Sequence, residues 1–308
     1  MVGTACFRGA HPHRTTYARN LVMIVSRLIG GLGNQMFQYA AGRALALRRG
    51  VPFAIDSRAF ADYKTHAFGM QCFCADLTEA PARLIPNPPA EGRLQRLLRR
   101  FLPSPLRVYT EKTFTFDNAV LSLPDGTYLD GYWQSEKYFA DFADQIRKDF
   151  AVKAAPSAPN QAWLELIDRT HSVSLHIRRG DYVSNAAAAA VHGTCDLGYY
   201  ERAVAHLHQV TGQAPELFVF SDDLDWVAAN LQLPYKMHLV RDNDASTNFE
   251  DLRLMTACRH HVVANSSFSW WGAWLDGRSE SITIAPARWF VADTPDARDL
   301  VPQRWVRL

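Results

Sequence analysis

The sequence predicts an α/β protein of two domains, each a parallel sheet covered by helices, with a cleft between them. Three observations predict it. Short apolar runs bounded by turn residues alternate with helical stretches along most of the 308 residues, and strand–helix alternation of that kind builds parallel sheets with helices on both faces. The length suits about two domains of roughly 100–200 residues each. Ala154-Ala155-Pro156-Ser157-Ala158-Pro159 reads as a linker, because it combines small residues with two prolines.

The elements follow in chain order. Residues 1–22 hold Arg8, His11, His13, Arg14 and Arg19 without an apolar core, so they do not read as a secretory signal. They are expected to form a poorly ordered extension, with a weak interfacial membrane anchor as the alternative, and Met23 reads as a start. A strand over 24–30 runs into Gly30-Gly31-Leu32-Gly33-Asn34. A helix over 35–49 follows, carrying Met36, Tyr39, Ala40, Leu45 and Leu47, and Gly50 stops it. A strand over 51–55 completes this first βαβ unit. Pro86, Pro88, Pro89, Pro103 and Pro105 break up 57–126, around an arginine-rich helix over 91–101. A strand over 127–133 and a helix over 136–150 close the N-terminal domain, 23–155. The C-terminal domain, 160–308, alternates strands at 172–177, 216–221, 236–240, 261–265 and 281–285 with helices at 197–211, 224–230, 248–258 and 269–275. The alanine run at 186–190 is either helix or loop.

Composition narrows the function classes. Basic and acidic residues number 33 and 31, a net charge of +2, which argues against a nucleic-acid binder. The basic clusters at 43–49 and 93–100 read as solvated helix faces. Apolar content of 48% and charged content of 21% suit a soluble globular enzyme. Five cysteines, an odd and sparse set, imply no disulfide framework. Cys72 and Cys74 have no second ligand pair at zinc spacing, and reduced cytoplasmic thiols are expected. No apolar run reaches the ~18 residues that span a bilayer.

Chemistry concentrates where strands end. In Ser172-Val173-Ser174-Leu175-His176-Ile177-Arg178-Arg179-Gly180-Asp181, an alternating apolar run stops at two adjacent arginines. Ligands of open α/β sheets bind at that end of a strand, and the guanidinium fork matches phosphate oxygens two at a time. A pyrophosphate-containing ligand is the first reading. An ion pair with Asp181 is the structural alternative, stronger for Arg179 than for Arg178, and strand alternation sends the two arginines to opposite sides. Phe220-Ser221-Asp222-Asp223 ends a second strand. Its carboxylates bind ribose hydroxyls, hold a metal or cap the next helix, and capping is the simplest role for Asp223. Asp242-Asn243-Asp244 has the form of a divalent-metal site but sits among turn residues and reads as loop. Asn265-Ser266-Ser267-Phe268-Ser269 places hydroxyls at a strand-to-helix turn, where capping and phosphate binding share one geometry. Trp270, Trp271 and Trp274 read as core, with base stacking as the alternative. The glycine-rich turn at 30–34 lets backbone N–H groups approach an anion. It is equally a tight turn with Asn34 as helix N-cap, and the two readings are compatible.

Taken together, GGLGNQMFQYA at 30–40, HIRRGDY at 176–182, FSDD at 220–223 and ANSSFSWWGAWL at 264–275 resemble the α-1,2-fucosyltransferases of glycosyltransferase family 11, of bacterial type. They stand in the family's order and cover the chain from Met23 to about residue 290. The α-1,6- and protein O-fucosyltransferases share a similar H-x-R element. The resemblance implies a GT-B-like fold of two Rossmann-like domains, no metal, and GDP-β-L-fucose as donor substrate rather than cofactor. It places the nucleotide on the C-terminal domain, and a galactose-terminated oligosaccharide or lipid-linked glycan acceptor on the N-terminal domain and cleft loops. By motif, Arg178 resembles the arginine on the β-phosphate. Ser267 resembles the phosphate-binding hydroxyl, with Ser266 and Phe268 in the same turn. His176 resembles the histidine flanking the nucleoside, and Asp222 falls among the donor-binding positions. Asp251 resembles the carboxylate that accepts from the guanine N1 and N2 amines. Asn34 resembles the asparagine facing the fucose and the acceptor oxygen, with Gly31 and Gly33 beside it on the donor. Arg178, Asn34 and His176 are the expected catalytic residues. Asp181, Asp130, Glu136 and His176 remain open as general base. The expected activity is inverting transfer to the 2-hydroxyl of a terminal β-galactoside in carbohydrate synthesis, in the cytoplasm or peripheral to the inner membrane. Transfer with another linkage (α-1,6 or α-1,3), a metal-dependent transferase using Asp242 and Asp244, and a non-catalytic sugar-nucleotide or glycan-binding protein are the rivals.

Overall fold

Ile24 and Val25 are fully buried, and strand β1 (Ile24–Arg27) is the centre of the first of two sheets. The computed structural model describes residues 23–62, 65–86, 106–180, 190–191, 193–292 and 295–308. The extension at 1–22, the arginine-rich stretch at 93–100, Asp181 and the alanines at 186–189 lie outside them. The chain divides into two units between Lys153 and Ala154.

In the first unit, β1 is followed by helix α1 (Leu32–Arg49), β2 (Phe53–Asp56), β3 (Arg107–Thr110), β4 (Thr127–Asp130) and helix α2 (Ala143–Asp149). The sheet order is β2-β1-β4-β3 and every pairing is parallel. Helix α1 buries residues on nearly every side, from Met36 and Phe37 to Leu45 and Ala46. Its small residues let it approach β1 closely, and a Cβ on Gly42 would collide with Ser26 and with the Phe53 ring, 2.7 Å away. Asp149 ties α2 to α1, accepting from Tyr39 Oη at 3.2 Å and Arg43 Nε at 3.1 Å. Arg48 pairs with Asp141 and Arg49 donates to Leu123 O at 2.7 Å, so the basic cluster at 43–49 is spent on its own unit.

Four expectations change here. Helix α1 begins at Leu32, not at 35, because Gly30 takes φ 79° and turns the chain early. Gly31 is the N-cap and Asn34 lies within the first turn, so Asn34 caps nothing. The strand expected over 127–133 ends at Asp130. Two 3₁₀ turns, Glu136–Tyr138 and Ala140–Phe142, precede α2 where one helix was expected.

The second unit holds helix α3 (Ala158–Arg169), β5 (Ser172–Ile177), α4 (Leu197–Thr211), β6 (Glu216–Ser221), α5 (Leu224–Asn230), β7 (Met237–Leu239), α6 (Asn248–Ala257), β8 (His260–Val262), α7 (Ser267–Trp274), β9 (Thr283–Ala285) and β10 (Val306–Arg307). Its sheet runs β10-β9-β8-β5-β6-β7, parallel throughout. Val173, Leu175, Ile177, Leu217, Val219, Val262 and Ile284 form one core with Tyr199, Tyr200 and Leu207 of α4, each large apolar side chain contributing roughly 1.5–3 kcal/mol. Trp270, Trp271 and Trp274 are buried and pack on one another, Trp270 also meets the Trp305 ring, and Trp270 Nε1 donates to Leu300 O at 2.9 Å. They are core, not a stacking platform.

The chain leaves β5 outward through β6 and β7, then returns to the other side of β5 through β8, β9 and β10. The strand order therefore reverses between β5 and β8, and in the first sheet between β1 and β4. The carboxyl ends of strands at such a reversal form the ligand crevice of open α/β sheets. Cys195 and Cys258 are free thiols, whereas Cys74 is disulfide-bonded, against the expectation of wholly reduced cysteines. Among the described residues no helix is long and apolar enough to cross a membrane.

Candidate functional site

The predicted residues fall into two groups, one in each unit, and all but Asp251 lie near the strand reversal of their sheet. In the second unit, parallel register pairs Ile177 of β5 with Ser221 of β6. The next residues, Arg178 and Asp222, then meet outside the sheet, with Arg178 Nη1 2.8 Å from Asp222 Oδ2. The second Asp222 oxygen accepts Arg179 N–H at 2.9 Å. Arg179 turns the other way: its Nε is 3.4 Å from Asp223 Oδ2, and its guanidinium lies 3.5 Å above the Trp226 ring of α5. Asp222 and Asp223 are thus ion-pair partners that sheet register brings alongside the two arginines; the expected pairing with Asp181 falls outside the described residues. Asp223 also caps α5, accepting Trp226 N–H at 3.2 Å. The two arginines have separate work. Arg179 is held by cation–π and ionic contacts to its own fold, and Arg178 is presented at the crevice with its plane set by Asp222.

His176 stands just before this pair. It is 6% exposed, its Nδ1 has no hydrogen-bond partner, and its ring lies 5.9 Å from that of Phe268. Burial, then the Arg178 charge, pushes its pKa down to about 4 against the pull of Asp222. The imidazole is neutral at physiological pH. It is a weak proton acceptor but a ready hydrogen-bonding group.

Beyond β8 the backbone is pinned. Tyr199 Oη donates to Val263 O at 2.7 Å, and Asn265 Nδ2 donates to Trp289 O at 3.2 Å. Ser266 caps α7, accepting Phe268 N–H at 3.3 Å. The helix therefore opens at Ser267, two residues before the expected 269, because Ser266 rather than a later serine is the cap. Ser267 and Phe268 are half-buried at the helix N-terminus, where backbone N–H groups and the helix dipole favour an anion.

Asp251 lies in the first turn of α6. Asn243 Nδ2 donates to its Oδ1 at 2.7 Å, and Asn243 is itself locked to buried Asn160 by bonds of 2.8 and 3.0 Å. Burial raises the Asp251 pKa to about 6, with Asn243 pulling down and Glu250 adding to the rise. A carboxylate so desolvated gains from further N–H donors. Asp242 accepts Trp163 Nε1 at 2.7 Å, and Asp244 accepts from Ser246 and Thr247. Both aspartates are turn residues, and among the described residues no cluster of three metal-ligating side chains occurs.

In the first unit, Gly31, Gly33 and Asn34 stand at the carboxyl end of β1. Gln134, four residues beyond β4, donates through Nε2 to Asn34 Oδ1 at 2.7 Å and so bridges the strand reversal. Buried Gln35 donates to Gly30 O at 2.8 Å and to Ala67 O at 3.0 Å and accepts from Gly69 N at 3.0 Å. That clamp brings the loop carrying His66 beside Gly31, where an added Cβ would stand 3.6 Å from the ring. Sequence reading missed Gln134 and His66. The signal for Gln134 was its place just after a strand in Gly131-Tyr132-Trp133-Gln134; His66 carried none. Of the base candidates, Asp130 is 2.9 Å from Arg27 in an ion pair, and Glu136 sits in a 3₁₀ turn.

Residues 106–308 match the model of Glycosyl transferase family 11. An Escherichia coli protein named Alpha-1,2-colitosyltransferase is 35% identical over 303 residues, 93% of this chain and 99% of that protein. The Escherichia coli O-antigen biosynthesis glycosyltransferase WbnK is 29% identical over 92% of this chain and 99% of its own length. Human Galactoside alpha-(1,2)-fucosyltransferase 1 is 27% identical over 48% of this chain and 43% of its own. Among solved structures, a mutant of Arabidopsis thaliana FUT1 in complex with GDP shares the fold, with TM-score 0.50 and 10% identity over 95% of this chain and 77% of that one.

Proposed function

The chain belongs to glycosyl transferase family 11, and we propose that it moves L-fucose from GDP-β-L-fucose, with inversion, to the 2-hydroxyl of a terminal β-galactoside in an O-antigen-type glycan. The observation that carries this reading is the convergence of Arg178, oriented by Asp222 at 2.8 Å, with unpartnered His176 Nδ1 and the Ser266-capped start of α7 at one strand reversal. In the reaction the acceptor hydroxyl oxygen forms a bond to the anomeric carbon as the bond to the β-phosphate oxygen breaks, and the hydroxyl proton is released to solvent. Negative charge grows on the departing GDP. A fixed guanidinium and preorganised N–H and O–H donors stabilise that charge, and such groups are worth about 2.7–4 kcal/mol each. Arg178 takes the β-phosphate and the Ser267 hydroxyl and N-terminal amides of α7 take the adjoining oxygens. His176 donates or accepts as a neutral ring beside the nucleoside. Asp251 accepts the paired N1 and N2 donors of guanine, an edge that adenine and uracil do not offer. Asn34, its amide set by Gln134, faces the fucose and the acceptor hydroxyl. With His176 neutral and Asp130 ion-paired, a dissociative transition state lowers the demand for a strong base. No metal takes part in this scheme.

Colitose, the 3-deoxy counterpart of fucose, is the second donor reading, favoured by the name of the relative that is 35% identical over nearly the whole chain. Parallel assays with GDP-fucose and GDP-colitose on lactose, with product linkage read by NMR, test both. A 1→2 fucosylated product formed at the higher kcat/KM supports the proposal. Preference for GDP-colitose moves the donor, and a linkage other than 1→2 overturns the acceptor assignment.

A further inference from the structure

A crevice of about 300 Å³ lies in the first unit just past the carboxyl end of β3, beside β4. Its walls include Glu111, Lys112, Phe116, Asp117, Asn118 and Trp133. Its volume stands at the small end of ligand sites, which run from roughly 300 to 1,000 Å³.

The walls are held in costly geometry. Trp133 takes φ 56°, the sole non-glycine residue with positive φ among those described, a conformation that costs of order 1–3 kcal/mol and persists only when neighbours enforce it. Glu111 enforces it. Its two carboxylate oxygens accept Tyr132 N–H at 2.7 Å and Trp133 N–H at 3.0 Å. A side chain on Gly131 would run into Glu111, so glycine is required there. Trp133 is 1% exposed, yet its indole Nε1–H has no hydrogen-bond partner. Buried donors are nearly always satisfied, and an orphan calls for an explanation.

We propose that this crevice is a saccharide subsite, taking the sugar of the acceptor that lies beyond the reacting one; this rests on the transfer reading above. The chemistry is that of a neutral sugar ring. Phe116 is a half-buried aromatic face, and Asn118 and Lys112 are exposed polar groups at the rim. Glu111 keeps lone pairs for sugar hydroxyls beside its two backbone donors. Two carboxylates, Glu111 and Asp117, stand against the ammonium groups of Lys112 and of Lys137, whose Nζ lies 5.6 Å from the Phe116 ring, so the walls carry no net positive charge to hold a phosphate or an acidic sugar. The position fits as well. Gln134, next after the strained Trp133, donates to Asn34, so a ring in the crevice occupies the same end of the same sheet as the residue assigned to the reacting hydroxyl.

The test compares wild type with Asn118→Ala and Phe116→Ala in two assays. The first is transfer to a β-galactosyl disaccharide, lacto-N-biose, and to methyl β-galactoside. Wild type is expected to prefer the disaccharide, and each variant to shrink the kcat/KM ratio about five- to tenfold, as loss of one good contact does. An unchanged ratio overturns the subsite. The second is binding of the disaccharide without donor, followed by saturation-transfer NMR. Binding that Asn118→Ala weakens, with no transfer from any GDP-sugar, sustains the subsite while sinking the transfer reading. Binding equal in wild type and both variants overturns the subsite whatever the turnover. Asn118 is exposed and outside the core, so its variant keeps the test clear of folding loss.

Discussion

Arg178 and Asp222 stand 2.8 Å apart because two parallel strands carry them to the same height: Ile177 pairs with Ser221, and the chain continues one residue further on each side. A buried or half-buried arginine at a ligand crevice needs an orienting anion before the substrate arrives. Asp222 supplies it, and its second oxygen is fixed in turn by Arg179 N–H at 2.9 Å.

Gly180 protects that geometry. A methyl group there would run into the Asp222 carboxylate. Gly180→Ala is expected to push Asp222 aside and lower kcat/KM roughly tenfold to a hundredfold, the scale of a misplaced catalytic group. Its melting temperature should stay close to that of wild type. Steady-state kinetics and a thermal melt check the pair of outcomes, and unaltered kinetics would remove Asp222 as the orienting group.

The proposed guanine contact predicts that Asp251 makes GDP binding pH-dependent. Burial raises its pKa to about 6, and guanine donors bind the ionised form. Affinity should therefore hold above about pH 6 and weaken as pH falls below it, approaching tenfold per unit for one proton. Calorimetric titration of GDP between about pH 5 and 8 measures this. Asp251→Asn should bind GDP more weakly and show a flat profile; a flat wild-type profile contradicts the guanine assignment.

Asp276 is a stability residue. Its side chain is 3% exposed and lies 2.9 Å from His261 Nε2 and 2.7 Å from Arg278 Nε, while His261 Nδ1 meets Ser174 Oγ at 2.8 Å. The serine–histidine–aspartate order resembles a hydrolase triad, but Ser174 and His261 are sealed within the sheet. The Asp276 pKa is lowered well below the usual carboxylate range, by His261 and Arg278 hydrogen bonds overcoming burial. Its contribution is thus present above about pH 4 and lost as pH falls through the lower folded value. Asp276→Asn should cost about 3 kcal/mol at neutral pH, since it leaves a buried partner uncompensated. Urea unfolding of the variant and wild type at pH 7, and again at about pH 2, reads both the size of the gap and its narrowing as the pH falls towards the folded value.

The legible parts of the fold were those with local punctuation. Helices α4 and α5 were placed residue for residue, because Asp196 and Asp223 cap their starts and Gly212 closes α4 in the left-handed region. Strand β5 was equally plain, buried along its whole length. Helix α3 was hidden behind the linker reading: Pro159 sits in its first turn, where a missing N–H costs nothing. Strand β3 was hidden because it is an edge strand, mostly exposed, with no apolar alternation. Within the site, the motifs marked His176, Arg178 and Ser266 by type and spacing. The partners Asp222 for Arg178 and Gln134 for Asn34 lie 44 and 100 residues away along the chain, and only sheet register brings them together.

Acceptor-dependent release of GDP from GDP-fucose, in EDTA, by wild type and Arg178→Ala side by side tests the central claim most directly. Wild type should release GDP at a rate that rises with lactose, and the variant should lose about 10²–10³ in kcat while remaining folded. Turnover by the variant near the wild-type rate would contradict the assignment of Arg178 to the departing phosphate. Wild-type release that ignores lactose would contradict transfer to a galactoside.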